Sequence, residues 1–186
     1  TMSTLFVNNL NTASGTTITV PTGKKLVITD TGGVVAPNQI IQTTQKANAA
    51  SHNNSSPGNW ADTNYQHSIT PVYSTSAIEM IMHIPFRLNS NGSPMRGGFR
   101  IYRDISGGAS SLIMNTTSNI EQIQVRDATN EHDGIVSFHF LDLTHGTTNQ
   151  LTYRAQSYIH NDSGAQYMTA YDANVGGNII LREIAQ

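Results

Sequence analysis

The sequence predicts an all-β fold, an antiparallel β-sandwich that is jelly-roll-like and carries an extended N-terminal arm. Three observations lead there. Residues 78–88 (IEMIMHIPFRL) alternate without a slip, so Ile78, Met80, Met82, Ile84, Phe86 and Leu88 share one face, as in a half-buried strand. From residue 38 onward, about eight strand-like segments are separated by turns rich in Gly, Asn and Ser, the pattern of a sandwich. No segment shows a capped, 3.6-residue apolar period.

In chain order, residues 3–10 (STLFVNNL), 16–20 (TTITV) and 24–29 (KKLVIT) are short strand candidates broken by NTASG and PTG turns. They hold too few large apolar residues for a core of their own. Residues 1–37 are therefore expected to be an attachment arm or small hairpin that needs a partner. Residues 38–186 are expected to be the sandwich, opened at 38–47 by a strand or a single helical turn. Residues 48–66 (NAASHNNSSPGNWADTNYQ) are polar and turn-rich and read as a long surface loop around the only tryptophan, Trp60. After the 78–88 strand and an NSNGSP turn comes GGFRIYRDI (97–105). There Phe99, Ile101 and Arg103 face one way, and Arg100 and Tyr102 the other. Weaker strands, LIMNTT and 120–127, precede GIVSFHFLDL (134–143), where Val136, Phe138 and Phe140 oppose Ile135, Ser137, His139 and Leu141. QLTYRAQSYIH (150–160) turns Leu151, Tyr153, Ala155 and Ile159 inward, and NIILREIAQ is the last strand.

Composition narrows the chemistry. The 186 residues contain no cysteine, which excludes disulfides, thiolate zinc sites and cysteine nucleophiles. A net charge of -2 leaves no electrostatic footprint for nucleic acid. No apolar run approaches the roughly 20 residues that span a bilayer, so no membrane insertion is expected. No charged n-region precedes an h-region, so no secretory signal is expected. Charged residues make up only 12%. An ordinary soluble domain has roughly 25%, and here Ser, Thr, Asn and Gln fill the gap at about a third of the chain. Such a surface stays soluble yet tolerates close contact with copies of itself. Extracellular particle proteins share this composition with secreted carbohydrate-binding modules.

The search for catalytic motifs is nearly empty. His52, His67, His83, His132, His139, His145 and His160 form no H-E-x-x-H and no His-x-His. Glu131, His132 and Asp133 gather in what reads as a solvated turn, and a long-range site from His83, His139 and a carboxylate stays open. G-x-S-x-G, S-x-x-K and P-loop patterns are missing. The chain is expected to be no enzyme and to need no cofactor or metal. Trp60 and Tyr65 are candidates for a surface-ligand loop that stacks a host-surface glycan, or else for caps on the core.

The second face of residues 78–88 carries Glu79, Ile81, His83, Pro85 and Arg87, too apolar for open solvent and too polar for a buried sheet. Arg100 and Tyr102 repeat the mixture. Glu79, Ile81, His83, Arg87, Arg100 and Tyr102 are therefore expected to form the subunit interface of a symmetric homo-oligomer, a trimer. Pro85 cannot donate to a ladder, so its strand is expected at a sheet edge or bulged there.

The order STLFVNNLNTASGTTITVPTGKKL, APNQIIQTTQ, SITPVYSTSAIEMIMHIPFRL, FRIYRDI, GIVSFHFLDL, LTYRAQSY and NIILREIAQ resembles small virion structural proteins of tailed bacteriophages, of tail-fibre or capsid-exterior decoration type. The likeness spans almost the whole chain as a pattern of short segments, departing where IEMIMHI replaces a more usual aliphatic run. It implies a homotrimeric β-rich protein of the virion surface, assembled in the host cytoplasm, that binds neither cofactor nor nucleic acid. Its arm would contact other virion proteins, capsid or tail, through Leu5, Phe6, Val7, Ile18 and Val20. The heptads or spiral repeats of a fibre shaft are absent from the sequence. That leaves a capsid decoration (cement) protein or a short fibre, with a receptor-binding tip as the alternative. A secreted carbohydrate-binding module is the competing class.

Overall fold

The computed structural model describes residues 22–23, 36–47, 51–90, 95–108, 110–114, 123–125, 131–159, 165–170 and 177–186. Contacts divide the chain into two units, Thr1–Val34 and Val35–Gln186. The arm candidates Leu5, Phe6, Val7, Ile18 and Val20 lie outside the described residues.

Every regular element among the described residues is a strand: β1 (Ile40–Ala47), β2 (His52–Asn54), β3 (Trp60–Ile69), β4 (Ala77–Ser90), β5 (Met95–Ile105), β6 (Ser110–Met114), β7 (Ile123–Val125), β8 (Glu131–Asp142), β9 (Leu151–Ile159), β10 (Ala165–Ala170) and β11 (Asn178–Ile184). All pairings are antiparallel. One sheet runs β1-β11-β4-β8, with β10 and β2 added beyond β11 along β4, and the other runs β3-β9-β5-β6, with β7 also on β5. Set the short β2 and β10 aside and count β6 and β7 as one interrupted strand. The eight that remain then stand, in chain order, 1-8-3-6 in one sheet and 2-7-4-5 in the other. This double Greek key is a jelly roll.

Period two explains the packing. The even residues of β4, from Ile78 to Leu88, are all at most 4% exposed and lie against Phe99 and Ile101 of β5 and Tyr153 and Ala155 of β9. Tyr65 and Ile69 of β3, Phe138 of β8 and Ile179 and Leu181 of β11 complete the core. The inward sides expected for β5, β8 and β9 are those observed. At the entrance, Asn38 adopts φ 67°, a left-handed conformation that asparagine tolerates. Its N–H donates to Ala185 O, and Ala185 N–H donates to Gln39 O, so β1 starts against the end of β11.

Of residues 38–47, Ile40–Ala47 form strand β1, entered through a turn at 37–38, so the strand alternative holds. Three expectations change. The second half of the expected 48–66 loop is β3, because Thr63, Tyr65 and Ile69 alternate inward among polar residues too sparse in apolar side chains to signal a strand. Glu131, His132 and Asp133 are not a turn but the first residues of β8, paired with Asn89, Leu88 and Arg87. Pro85 lies in a central strand, neither at an edge nor at a bulge. β8 follows β4 along one side. On the other, β11 ends its pairing at His83 and β10 begins at Phe86, so Pro85 falls in the gap between two partners and deprives neither of a donor.

Two glycines mark close approaches. A Cβ on Gly177 would stand 1.8 Å from the Tyr65 hydroxyl, and one on Gly134 2.8 Å from the Phe86 ring. Gly177→Ala and Gly134→Ala are expected to destabilise by about 1–3 kcal/mol in urea unfolding, whereas Gly108→Ala, whose nearest atoms are at 3.5 Å, stays near neutral.

Candidate interaction faces

The inner positions are spent on the core, so chemistry is confined to the two outer faces and the sandwich ends. On the outer face of the β1-β11-β4-β8 sheet, Glu79 accepts from Arg182 Nη1 at 2.9 Å and meets His139 Nε2 at 2.8 Å. Arg87 grips Asp133 bidentately, Nε to Oδ1 at 2.7 Å and Nη2 to Oδ2 at 2.9 Å, and reaches Glu131 at 3.1 Å. His83 Nδ1 lies 2.8 Å from Ser137 Oγ. The hydrogen bond from His139, against opposition from burial and with help from Arg182, holds the Glu79 carboxyl below its ordinary value. Arg87 does the same for Asp133. Between the two ion-pair groups Ile135 of β8 stands exposed, and Leu141 stands exposed beyond His139, opposite Glu79. His83 and His139 share this face, but no group of three His, Cys, Asp or Glu residues among those described is placed to hold a metal ion.

The outer face of the β3-β9-β5-β6 sheet carries a different array. Trp60 and Tyr158 are cross-strand neighbours with ring centroids 4.9 Å apart. The Arg100 guanidinium lies 4.2 Å from the Trp60 ring centre and 4.9 Å from that of Tyr102, and the Arg154 guanidinium lies 4.7 Å from Tyr102. Arg154 bridges Asp62 and Asp104, and Gln156 links Asp62 to Arg100 Nε.

The six expected interface residues therefore do not form one patch. Glu79, Ile81, His83 and Arg87 belong to the first face, Arg100 and Tyr102 to the second, because β4 and β5 sit in different sheets. The ligand pair also separates. Trp60 lies on the second outer face, but Tyr65 is fully buried, packed on Gly177, and cannot contact a surface ligand. Arg100 stacks on the Trp60 ring, and Arg100 and Arg154 both lie against the Tyr102 ring, so part of each ring's surface is already in use. Asp62, Asp104, Arg154, Gln156 and Tyr158 were not singled out from the sequence. For the three on β9's outward side the signal was the alternation itself, opposite Leu151, Tyr153 and Ala155.

Two buried carboxylates fasten loops to the sandwich. Glu183 accepts hydrogen bonds from Val72 N–H, Tyr73 N–H, Ser76 Oγ–H and Gln42 Nε2–H at 2.6–3.0 Å. Asp142 accepts from Arg103 Nη1 at 2.7 Å, the Tyr153 hydroxyl at 2.7 Å and Thr144 N–H at 2.9 Å, tying one sheet to the other. Burial opposes ionisation of both. At Asp142 the Thr144 N–H, Arg103 and Tyr153 outweigh it, and at Glu183 the Val72 and Tyr73 N–H groups, Gln42 and Ser76 do, leaving both carboxyls below their ordinary values. Burial, then the Asp142 charge, raises the Tyr153 phenol far above its ordinary value. His145 is buried too, with Nε2 2.7 Å from Ser76 O and Nδ1 3.0 Å from Thr147 O, so the turn at 144–149 is anchored beside Glu183's loop. A depression of about 190 Å³ lined by Tyr73, Thr75, Ser76, Ala185 and Gln186 opens there. It is smaller than the roughly 300–1,000 Å³ of small-molecule sites.

No known family profile matches the chain, and no curated protein matches it. Among solved structures it is similar to a chain in the structure of infectious bursal disease virus Gt strain, at 13% identity and a TM-score of 0.44, over 78% of this chain and 38% of that one. It is also similar to one in the structure of the Gx strain, at 10% identity and a TM-score of 0.40, over 77% and 36%. The chain thus spans well under half the length of either.

A carboxyl whose folded-state pKa is depressed stabilises the fold above its unfolded value and loses that contribution as pH falls through the depressed one. Chemical denaturation from pH 7 to pH 2 is expected to show stability falling below the ordinary carboxylate range. Asp142→Asn and Glu183→Gln should each lower stability at pH 7 by about 2–4 kcal/mol and flatten that acid slope.

Proposed function

We propose that this chain is a non-enzymatic structural protein of a virus particle, acting as a homo-oligomer, most simply a trimer, on the particle exterior. In this reading the jelly roll is the assembled body, and residues 1–37 join it to other virion proteins as a capsid decoration or short fibre protein. The observation that carries the reading is the pair of built outer faces. Both combine aromatic or aliphatic side chains with arginine–carboxylate pairs, the composition of subunit contacts, while the buried carboxylates at one end of the sandwich are spent on holding loops. The low charge of the sequence and its resemblance to phage virion proteins support the same role. A cyclic oligomer joins unlike patches of successive copies. The placement of Glu79, Ile81, His83 and Arg87 on one face and Arg100 and Tyr102 on the other is compatible with that.

Light scattering is expected to give three times the 20.2 kDa chain mass. A variant lacking residues 1–37 should keep its fold and its oligomeric state but lose affinity for the particle. A monomer at all working concentrations would overturn the assembly reading. A shortened protein that binds the particle as well as the whole chain would overturn the role of the arm.

A further inference from the structure

Of the arginine side chains that the structure describes, Arg87, Arg103, Arg154 and Arg182 each hold a carboxylate within 3.1 Å. Arg100 holds none among the described residues. Its Nε donates to Gln156 Oε1 at 2.7 Å, and its guanidinium carbon lies close to the Trp60 and Tyr102 rings. Its two Nη groups, the fork that binds a carboxylate bidentately, remain on the outer face without a bonded partner among those residues.

On the opposite outer face three carboxylates, Glu79, Glu131 and Asp133, share two arginines, Arg87 and Arg182, among the described residues. Glu131 and Asp133 share Arg87, and their side chains are 47% and 57% exposed. A carboxylate has about four acceptor sites, so Asp133 can keep its two bonds to Arg87 and accept more. Ile135, next on the same side of β8, is 62% exposed.

We propose that Arg100 of one copy receives the Asp133 carboxylate of a second copy, with the Trp60 and Tyr102 rings covering Ile135 beside it. This contact rests on the oligomeric reading above and names the groups that meet. Charge complementarity selects a second copy as the occupant. On Arg100's face Arg154 already holds both Asp62 and Asp104, which leaves the Arg100 fork over, while on the opposite face Glu131 and Asp133 share Arg87, each flanked by apolar surface that the other covers. Arginine, tryptophan and tyrosine at the centre of the patch are the residue types that dominate binding energy at protein contacts. Joining unlike faces makes the contact head-to-tail, closing into a ring or extending according to the rotation between copies.

The test measures association by light scattering across concentration for the wild type, Arg100→Glu, Asp133→Arg and the double variant, with thermal melts establishing that each is folded. Each single variant is expected to associate at least about tenfold more weakly, and the double variant to recover most of that loss. Arg100→Gln and Asp133→Asn, which remove charge with little change of shape, should weaken association in the same direction while melting like the wild type. A wild type that never associates overturns the oligomeric reading itself. A wild-type oligomer unaffected by Arg100→Glu and Arg100→Gln overturns only this contact, as do single variants whose loss the double variant fails to recover. Unchanged association together with Arg100-dependent binding of 3′-sialyllactose would also overturn it, assigning the fork to an acidic sugar.

Discussion

Fourteen consecutive residues of β4 run through the middle of a sheet, hydrogen-bonded to β8 on one edge and to β11 and then β10 on the other. A strand held in this way cannot rotate, so its side chains must divide between two faces. The six inner ones, Ile78 to Leu88, each contribute about 1.5–3 kcal/mol by leaving water, and the opposing sheet is built to receive them. The remaining side chains have no choice of direction and define the outer face. Pro85 is tolerated because the change of partner from β11 to β10 falls where its missing donor would be needed. Glu183 and Asp142 stand in one row with Ile78 and close one end of the same construction. One is held by neutral donors alone among its hydrogen-bond partners, the other by an arginine from the opposite sheet, so losing Arg103 removes the one positive charge that is bonded to Asp142 among the described residues.

The outer faces inherit this rigidity. Exposed ion pairs such as Arg87–Asp133 contribute only about 0–1 kcal/mol to stability, so their ordering matters more for presentation than for folding. Side chains already fixed by neighbours lose little freedom when a partner arrives, which reduces the entropic cost of association. The Trp60–Arg100–Tyr102–Arg154 row is such a prepared surface, with each cation placed by a ring or an acid before any second molecule is present.

The strands whose faces differ sharply in polarity were legible in the sequence. β4, β5, β8, β9 and β11 announce themselves because their inner residues are large and apolar, and the inward sets on β5, β8 and β9 follow from period two alone. β3 was not legible, since Thr63 and Tyr65 lie within the irregularity between Asp62 and Gln66 opposite β9, and Tyr65 looks like a loop aromatic until the opposing sheet buries it. The charged segment at 131–133 reads as a turn because the residues that neutralise it lie more than forty positions away, on β4. Sheet membership was beyond reach for the same reason. Consecutive strands β4 and β5 look like a hairpin, yet the Greek key sends them to different sheets and carries Arg100 and Tyr102 away from Arg87.

The sequence supplies its own reporter for the central claim that these outer faces are completed by identical neighbours. Trp60 is the single tryptophan and lies against Arg100 on the second face. Acrylamide quenching of its fluorescence, followed through a dilution series beside the mass, reads that face directly. The account predicts weak quenching in the assembled protein and a rise on dilution, with a midpoint matching the fall in mass. Quenching that stays constant while the mass falls would place the contact elsewhere and contradict it.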